Sequence, residues 1–227
     1  HDSDLLPLSK NKHLFEEMGC HVMISDPETI DVCLDKVKTS DFFKKIGVKT
    51  PKVMLMLGDY PVMLRKRHAA SGKKLVRKIN NEEEYDFFTK GLNDEVIINE
   101  FVGGTEWTVD VICSPTSEVL EVVPRQRVSI SEGNTQVGQV NLDDKTINEV
   151  KTIVKALKIK DICCVQFKRH NNENYYFEVN ARAGSGLDLT VNAGVNMPLM
   201  AIENRIGSPH KPFSKKIEDN LKMVRYL

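Results

Sequence analysis

The stretch "FEVNARAGSG", Phe177 to Gly186, follows the aromatic pair Tyr175-Tyr176 and ends in small residues. Its first half reads as a strand, and strand side chains alternate between two faces. Glu178, Asn180 and Arg182 therefore share one face, while Phe177 and Val179 point the other way, into a core. Upstream, "DICCVQFKRH" and the polar link "NNEN" complete a β-hairpin. That places Gln166 on the neighbouring strand, on the same side as Glu178 if the register allows. A carboxylate and an amide oxygen side by side are hard donors. They suit Mg2+, which takes one or two carboxylates and fills its other positions with water and phosphate oxygens. An arginine next to them suits a phosphoryl or carboxylate group. The plain alternative is a solvated hairpin face on which Glu178 pairs with Arg182.

Three further stretches carry weaker signals. In "NEFVGGTEWTVDV", Glu100 ends one strand and Glu106 opens the next, with two glycines between them that let a backbone approach a ligand. Strand-end backbone there is able to pair with an adenine edge, and a glutamate is able to accept from ribose hydroxyls; a simple hairpin turn with surface acids is the bland reading. In "YPVMLRKRHAASGKKL", a basic strand end leads into a small-residue loop whose amides and charge suit phosphate. "SGKK" lacks the P-loop spacing, so that mode is excluded. In "LDKVKT", Lys36 sits near the start of a helix, where a surface role is the ordinary one.

The remaining pattern is mixed. Helices are expected in "SKNKHLFEEMG", in two pieces of "PETIDVCLDKVKTSDFFKKIGVKTP" ending at Gly47, in "NEEEYDFFTKGL", in "DDKTINEVKTIVKALKI" and from about Pro198 to Arg205. Strands are expected in "CHVMIS", "YPVMLRKR", "LVRKI", "EVIINEFV" and "EWTVDVICS", and "EVLEVVPRQRVSI" reads as a strand pair or one bent strand followed by the loop "SEGNTQVG". Strands joined by short turns outnumber alternating βαβ units, which predicts an α+β fold.

Composition narrows the partners. The 227 residues are 41% hydrophobic and 28% charged, enough for a sizeable core or two lobes. Lysine plus arginine equals aspartate plus glutamate at 32 each, which gives no reason for nonspecific nucleic-acid binding. No apolar run nears the roughly 18 residues of a membrane span, and no signal peptide is visible. Cys20, Cys33, Cys113, Cys163 and Cys164 match neither a disulfide framework nor a zinc site; Cys163-Cys164, in the apolar run "DICCVQF", reads as buried free thiols, and a reducing, cytoplasmic setting is expected. The opening "HDSDLLPLSK" reads as the middle of a domain, so a fragment or processed chain is expected.

Taken in order, these motifs resemble the ATP-grasp superfamily, in particular the ATP-binding modules of carbamoyl-phosphate synthetase large subunits. The resemblance spans roughly residues 28 to 207 and rests on "CLDKVKTSDFFKKIGVKTP", "VMLRKRHAASGKKL", the E-x-x-x-G-x-E hinge in "IINEFVGGTEWTVDV", and "VQF" followed by the E-x-N-x-R of "FEVNAR". It implies two α+β lobes with antiparallel sheets clasping ATP. The implied division is a remnant of a preceding α/β domain in residues 1–27 and the ATP-grasp domain in 28–227, with a small lobe about 51–99 and a large lobe about 106–227. Lys36 and Arg65 would contact ATP phosphates. Glu100 and the backbone at Phe101 and Val102 would hold adenine, and Glu106 the ribose. Gln166, Glu178 and Asn180 would bind magnesium or manganese. Arg182, and more weakly Arg127, would face the reacting groups. The implied activity is a ligase or synthetase that phosphorylates a small carboxylate, bicarbonate or carbamate with ATP; the alternative is a nucleotide-binding module without turnover. Two departures stand out: the covering loop has only Gly72, and Arg65 stands where many members carry lysine.

Overall fold

The computed structural model describes residues 2–54, 59–68, 75–92, 95–131, 133–207 and 216–226. Two antiparallel sheets organise it, one of four strands and one of six. Helices come first. The stretch expected as one helix, residues 9–19, holds α2 (Lys12–Glu17) and only the end of α1 (Asp2–Lys10), most of which precedes it and was not expected. α1 packs on α3 (Pro27–Leu34), and Leu5, Leu6 and Leu8 join the main core. The strand expected at "CHVMIS" does not form: residues 20–26 belong to no ladder. The alternation is present, but a strand needs a paired neighbour. Side-chain bonds fix the segment instead. Ser9 Oγ donates to the Ser25 carbonyl (2.6 Å), and Ser25 Oγ accepts from the Lys160 amide (2.9 Å).

α4 (Lys36–Lys45) begins where Asp35 caps it. The carboxylate accepts from the amides of Val37 (2.9 Å) and Lys38 (3.3 Å), satisfying N–H groups that a helix start leaves open. Arg67 grips the same carboxylate through Nε and Nη2, and the Lys36 amide donates to the Arg67 carbonyl (3.1 Å). Burial works against the charge on Asp35, but Arg67 and the two amides outweigh it and hold the carboxyl below its usual range. The helix start is thereby tied to the end of a strand in the small sheet.

That sheet contains β1 (Val53–Met54), β2 (Val62–Lys66), β3 (Val76–Ile79) and β4 (Val96–Glu100), in the order β1-β4-β2-β3. α5 (Glu82–Thr89) is capped by Asn81 and covers Val62, Leu64 and Ile79 with Tyr85 and Phe88. The other face of β2 presents Met63 and Arg65. Residues 69–74, the loop expected to cover phosphates, lie outside the described residues.

The large sheet contains β5 (Thr105–Cys113), β6 (Val119–Ser131), β7 (Asn134–Val140), β8 (Asp161–His170), β9 (Glu173–Asn180) and β10 (Lys222–Val224), in the order β10-β7-β6-β5-β8-β9. β6 is a single bent strand with two register shifts toward β7. Most of the expected loop "SEGNTQVG" is β7. Its polar composition hid a strand that is held by pairing on both sides, to β6 and β10, more than by its own apolar pattern. The β8–β9 turn is tighter than expected: Asn171 and Asn172 take φ of 48° and 62°, and Glu173 and Asn174 already belong to β9. α6 (Asp144–Ala156), capped by Asp143, buries Val150, Ile153 and Val154 against Val109, Val165 and Phe167. α7 (Leu187–Asn192) and α8 (Met197–Arg205) close part of the opposite face over Ile112 and Val123.

Gly104 joins the two sheets at φ 89°, and a Cβ there would lie 2.0 Å from the Arg169 carbonyl oxygen. Gly104→Ala is expected to lose about 1–3 kcal/mol through backbone strain alone, and more if the Arg169 strand must shift. Urea unfolding of the two proteins measures it, and equal midpoints would contradict the close approach.

Candidate active site

Side chains in the large sheet sort into an apolar and a polar face. On β5, Trp107, Val109 and Val111 enter the core, so Glu106, Thr108 and Asp110 face the other way. Register then builds rows. Glu106 lies opposite Arg127 of β6 and Lys168 of β8; Thr108 lies opposite Arg125 and Gln166; Asp110 lies opposite Cys164. β9 extends two of these rows, with Glu178 beside Gln166 and Asn180 beside Cys164. The register needed to bring Gln166 to Glu178 is the one observed.

Phe177 departs from expectation. The β8–β9 ladder passes from Gln166↔Glu178 to Phe167↔Tyr176, which leaves Phe177 as the extra residue of a β-bulge. Tyr176 and Val179 fill the core, while Phe177 lines the cleft with Glu178, and the Arg65 guanidinium lies 5.6 Å from its ring centroid. Simple alternation fails here because the bulge spends one residue without crossing the sheet.

A cavity of about 570 Å3 lies between the two sheets. Its walls include all eleven residues singled out from the sequence: Lys36, Arg65, Glu100, Phe101, Val102, Glu106, Arg127, Gln166, Glu178, Asn180 and Arg182. The cap on α4 delivers Lys36. Arg65 is buried and donates twice to Asn99 Oδ1 (3.1 and 2.7 Å). Glu100 accepts from the Lys52 amide (3.2 Å), and Phe101 and Val102 follow outside the ladder. Lys78, Lys168, Phe177 and Asp2 also line the cavity and were not foreseen. The signal for Lys78 was available: β3 alternation puts it opposite Met63, on the face of Arg65, and its ammonium sits 4.7 Å from the Phe101 ring centroid.

Charges in the cavity are distributed around Glu178. Burial pulls the Lys36 ammonium and the Arg65 guanidinium below their usual pKa values, and the Glu178 carboxylate opposes both shifts. Hydrogen bonding to Asp2 holds Arg182 up, with a smaller contribution from Glu178. Yet no described residue donates a hydrogen bond to Glu178. The surface pair Glu178–Arg182 is not formed: Arg182 binds Asp2 through Nε (2.5 Å) and Nη2 (3.0 Å). A carboxylate left open beside two amide side chains fits Mg2+ that arrives with phosphate oxygens. Among the described residues there is no cluster of three His, Cys, Asp or Glu to hold a metal by itself.

Glu106 is more engaged than the sequence suggests. It accepts from Arg127 Nη1 and from Lys168 Nζ (2.9 Å). Arg127 also donates to Thr135 Oγ1 (3.0 Å) and the Gly133 carbonyl (2.6 Å), so it sits in the Glu106 row, next to the row of Glu178. Deeper in, Arg125 and Asp110 form a pair that is 1% and 0% exposed, at 2.6 and 2.8 Å, with Thr190 Oγ1 donating to the same carboxylate (2.5 Å). Gly186 lies over it; a Cβ there would be 2.4 Å from Arg125 Nη1. Arg125 lines a hollow of about 100 Å3 that also touches Thr108, Gln166 and Arg182. Cys164 lines the hollow, but burial pushes its thiol up to about 12, which argues against a nucleophile.

Arg125→Ala leaves the buried Asp110 carboxylate without its cation and with the Thr190 hydroxyl as its remaining side-chain partner among the described residues. The expected loss is about 3–5 kcal/mol, and the Arg125→Ala/Asp110→Ala pair should cost clearly less than the sum of the single changes. Denaturant unfolding of all four proteins gives the coupling, and additivity within error would refute it.

Comparison with known proteins accords with this geometry. The carbamoyl phosphate synthase large chain of Campylobacter jejuni is 25% identical over 88% of this chain, and the match covers 20% of the relative. The C-terminal section of the same enzyme in Aquifex aeolicus is 24% identical, over 88% of this chain and 40% of its own length. The chain thus spans about a fifth of the full-length relatives it matches. In structure it resembles the L-amino acid ligase from Bacillus licheniformis (TM-score 0.70, 19% identity, 90% of this chain and 54% of that one). It also resembles the biotin carboxylase domain of Hydrogenobacter thermophilus 2-oxoglutarate carboxylase, solved with MgADP, ADP and bicarbonate (TM-score 0.71, 19% identity, 95% and 55%). Residues 93–225 match the family model for ATP-grasp in the biosynthetic pathway with Ter operon, and with more than half of its length in that match, the chain belongs to this ATP-grasp family.

Proposed function

We propose that the chain is the nucleotide-binding and phosphoryl-transfer part of an ATP-dependent ligase of the carbamoyl-phosphate synthetase type. The observation that carries this reading is the Glu178 carboxylate, without a hydrogen-bond donor among the described residues and sharing the cleft with the cations of Lys36, Arg65 and Arg182, on which its charge acts. Residues 28–227 would form the ATP-grasp unit, with residues 1–27 contributed by a preceding domain. The free buried thiols favour a reducing compartment such as the cytoplasm.

In this reading Glu100 and the backbone of Phe101 and Val102 hold adenine, and Glu106 accepts from the ribose on the lone pairs that Arg127 and Lys168 leave open. Lys36 and Arg65 neutralise the phosphates. Gln166, Glu178 and Asn180 hold Mg2+, which when bound offsets phosphate charge and fixes the phosphate oxygens. A carboxylate oxygen of the acceptor attacks the γ-phosphorus. The new O–P bond forms as the bond to the β–γ bridging oxygen breaks, and ADP leaves. A nitrogen nucleophile then attacks the acyl carbon and displaces phosphate. Arg182 stabilises the transferring group or orients the acceptor. No protein nucleophile is required. A second reading, nucleotide binding without turnover, draws on the hold that Asp2 already has on Arg182; release of ADP with a panel of carboxylates favours the ligase, and its absence favours the second reading.

Saturation with Mg-ATP at 100 times its dissociation constant should stabilise the chain by about 2.7 kcal/mol in calorimetry or thermal shift. Glu178→Gln keeps the shape and removes the charge. It should raise the Mg2+ concentration needed for ATP binding at least roughly tenfold while leaving the melting temperature of the free protein close to that of the wild type. Equal Mg2+ dependence in the two proteins would remove Glu178 from the metal site.

A further inference from the structure

The Arg182 guanidinium has five N–H donors in a rigid fork. Nε donates to Asp2 Oδ1 (2.5 Å), Nη2 to Asp2 Oδ2 (3.0 Å) and Asn180 Oδ1 (3.3 Å), and Nη1 to the Ala183 carbonyl (3.0 Å). Asp2 thus takes the two-point edge by which arginine binds a carboxylate. Its side chain is 14% exposed and lines the cleft that holds Lys36 and Glu178. Asp2 is the first residue of α1, whose only fully buried residue, Ser9, lies near the other end of the helix. Leu5, Leu6 and Leu8 pack on the main core and Ser9 Oγ donates to the Ser25 carbonyl, so the helix stays docked and the edge of Arg182 opens by rotation of the Asp2 side chain alone.

We propose that the edge of Arg182 is a carboxylate seat that the chain fills with its own Asp2, and that an acceptor carboxylate enters by displacing Asp2 from it. The seat stands on the hydrogen-bond geometry; the identity of the displacing group as the acceptor rests on the ligase reading above. A merely structural pair of this kind would add little stability and have no reason to face the cleft beside Asn180. An intramolecular carboxylate in the seat makes the free protein resist small anions. It also favours acceptors that bring further contacts, since the incoming group must outcompete a tethered rival.

Formate tests the seat without nucleotide. Asp2→Ala opens a space of carboxylate size on Arg182 and should bind formate saturably, raising the melting temperature relative to chloride at equal ionic strength. The apparent formate dissociation constant should be at least tenfold lower than in the wild type. Asp2→Asn, which keeps the shape but not the charge, should fall between them. Asp2→Ala/Arg182→Ala should lose the effect. Equal formate response in wild type and Asp2→Ala, or a response that survives removal of Arg182, would overturn the proposal. Because no ATP is present, failure here is distinct from failure of the Mg-ATP titration.

Discussion

Neighbouring side chains on a flat strand cannot face the same way, and most of the cleft follows from that constraint. Once Trp107, Val109 and Val111 are buried, Glu106, Thr108 and Asp110 must face the opposite side. Antiparallel pairing then carries the alternation to Arg125 and Arg127 on one side and to Gln166, Lys168, Glu178 and Asn180 on the other. The apolar face supplies the stability and the polar face the chemistry, and one ladder specifies both.

The second sheet is brought to the first by charge and backbone together. Asp35 caps α4 and holds Arg67 at the end of β2, so Lys36 and Arg65 reach the cleft from two elements that share one ion pair. Gly104 completes the arrangement on the far side by letting the connection pass against the Arg169 carbonyl. The cleft is therefore anchored at both ends, and the polar residues between them have fixed walls to work across.

How much of this was legible in the sequence depended on the range of the interaction. Glu178, Asn180 and Gln166 were readable because alternation and a short hairpin are local. Lys36 was readable only as a residue near a helix start; its phosphate role came from the resemblance, and the Asp35 cap that delivers it to the cleft is seen in the structure. β7 was missed because its pairing partners, β6 and β10, lie on both sides of it and one of them comes from far along the chain. "CHVMIS" misled for the complementary reason: the pattern of a strand was present without a partner. The Asp110–Arg125 pair and the bond between Asp2 and Arg182 join residues that nothing in the local sequence connects, and only the assembled sheet reveals them.

The bulge at Phe177 has a consequence for how this hairpin tolerates change. It separates the ladder into a tip half, from Phe167↔Tyr176 to the asparagine turn, and a base half that carries Gln166 and Glu178. Removing Phe177 would restore a continuous ladder, and continuity would then force a choice. Either the tip turns over, sending Tyr176 out of the core, or the base does, sending Glu178 into it. Phe177 works like the extra tooth that keeps two gears in phase: the hairpin tip answers to the core, the base answers to the cleft, and one unpaired residue lets each keep its own parity.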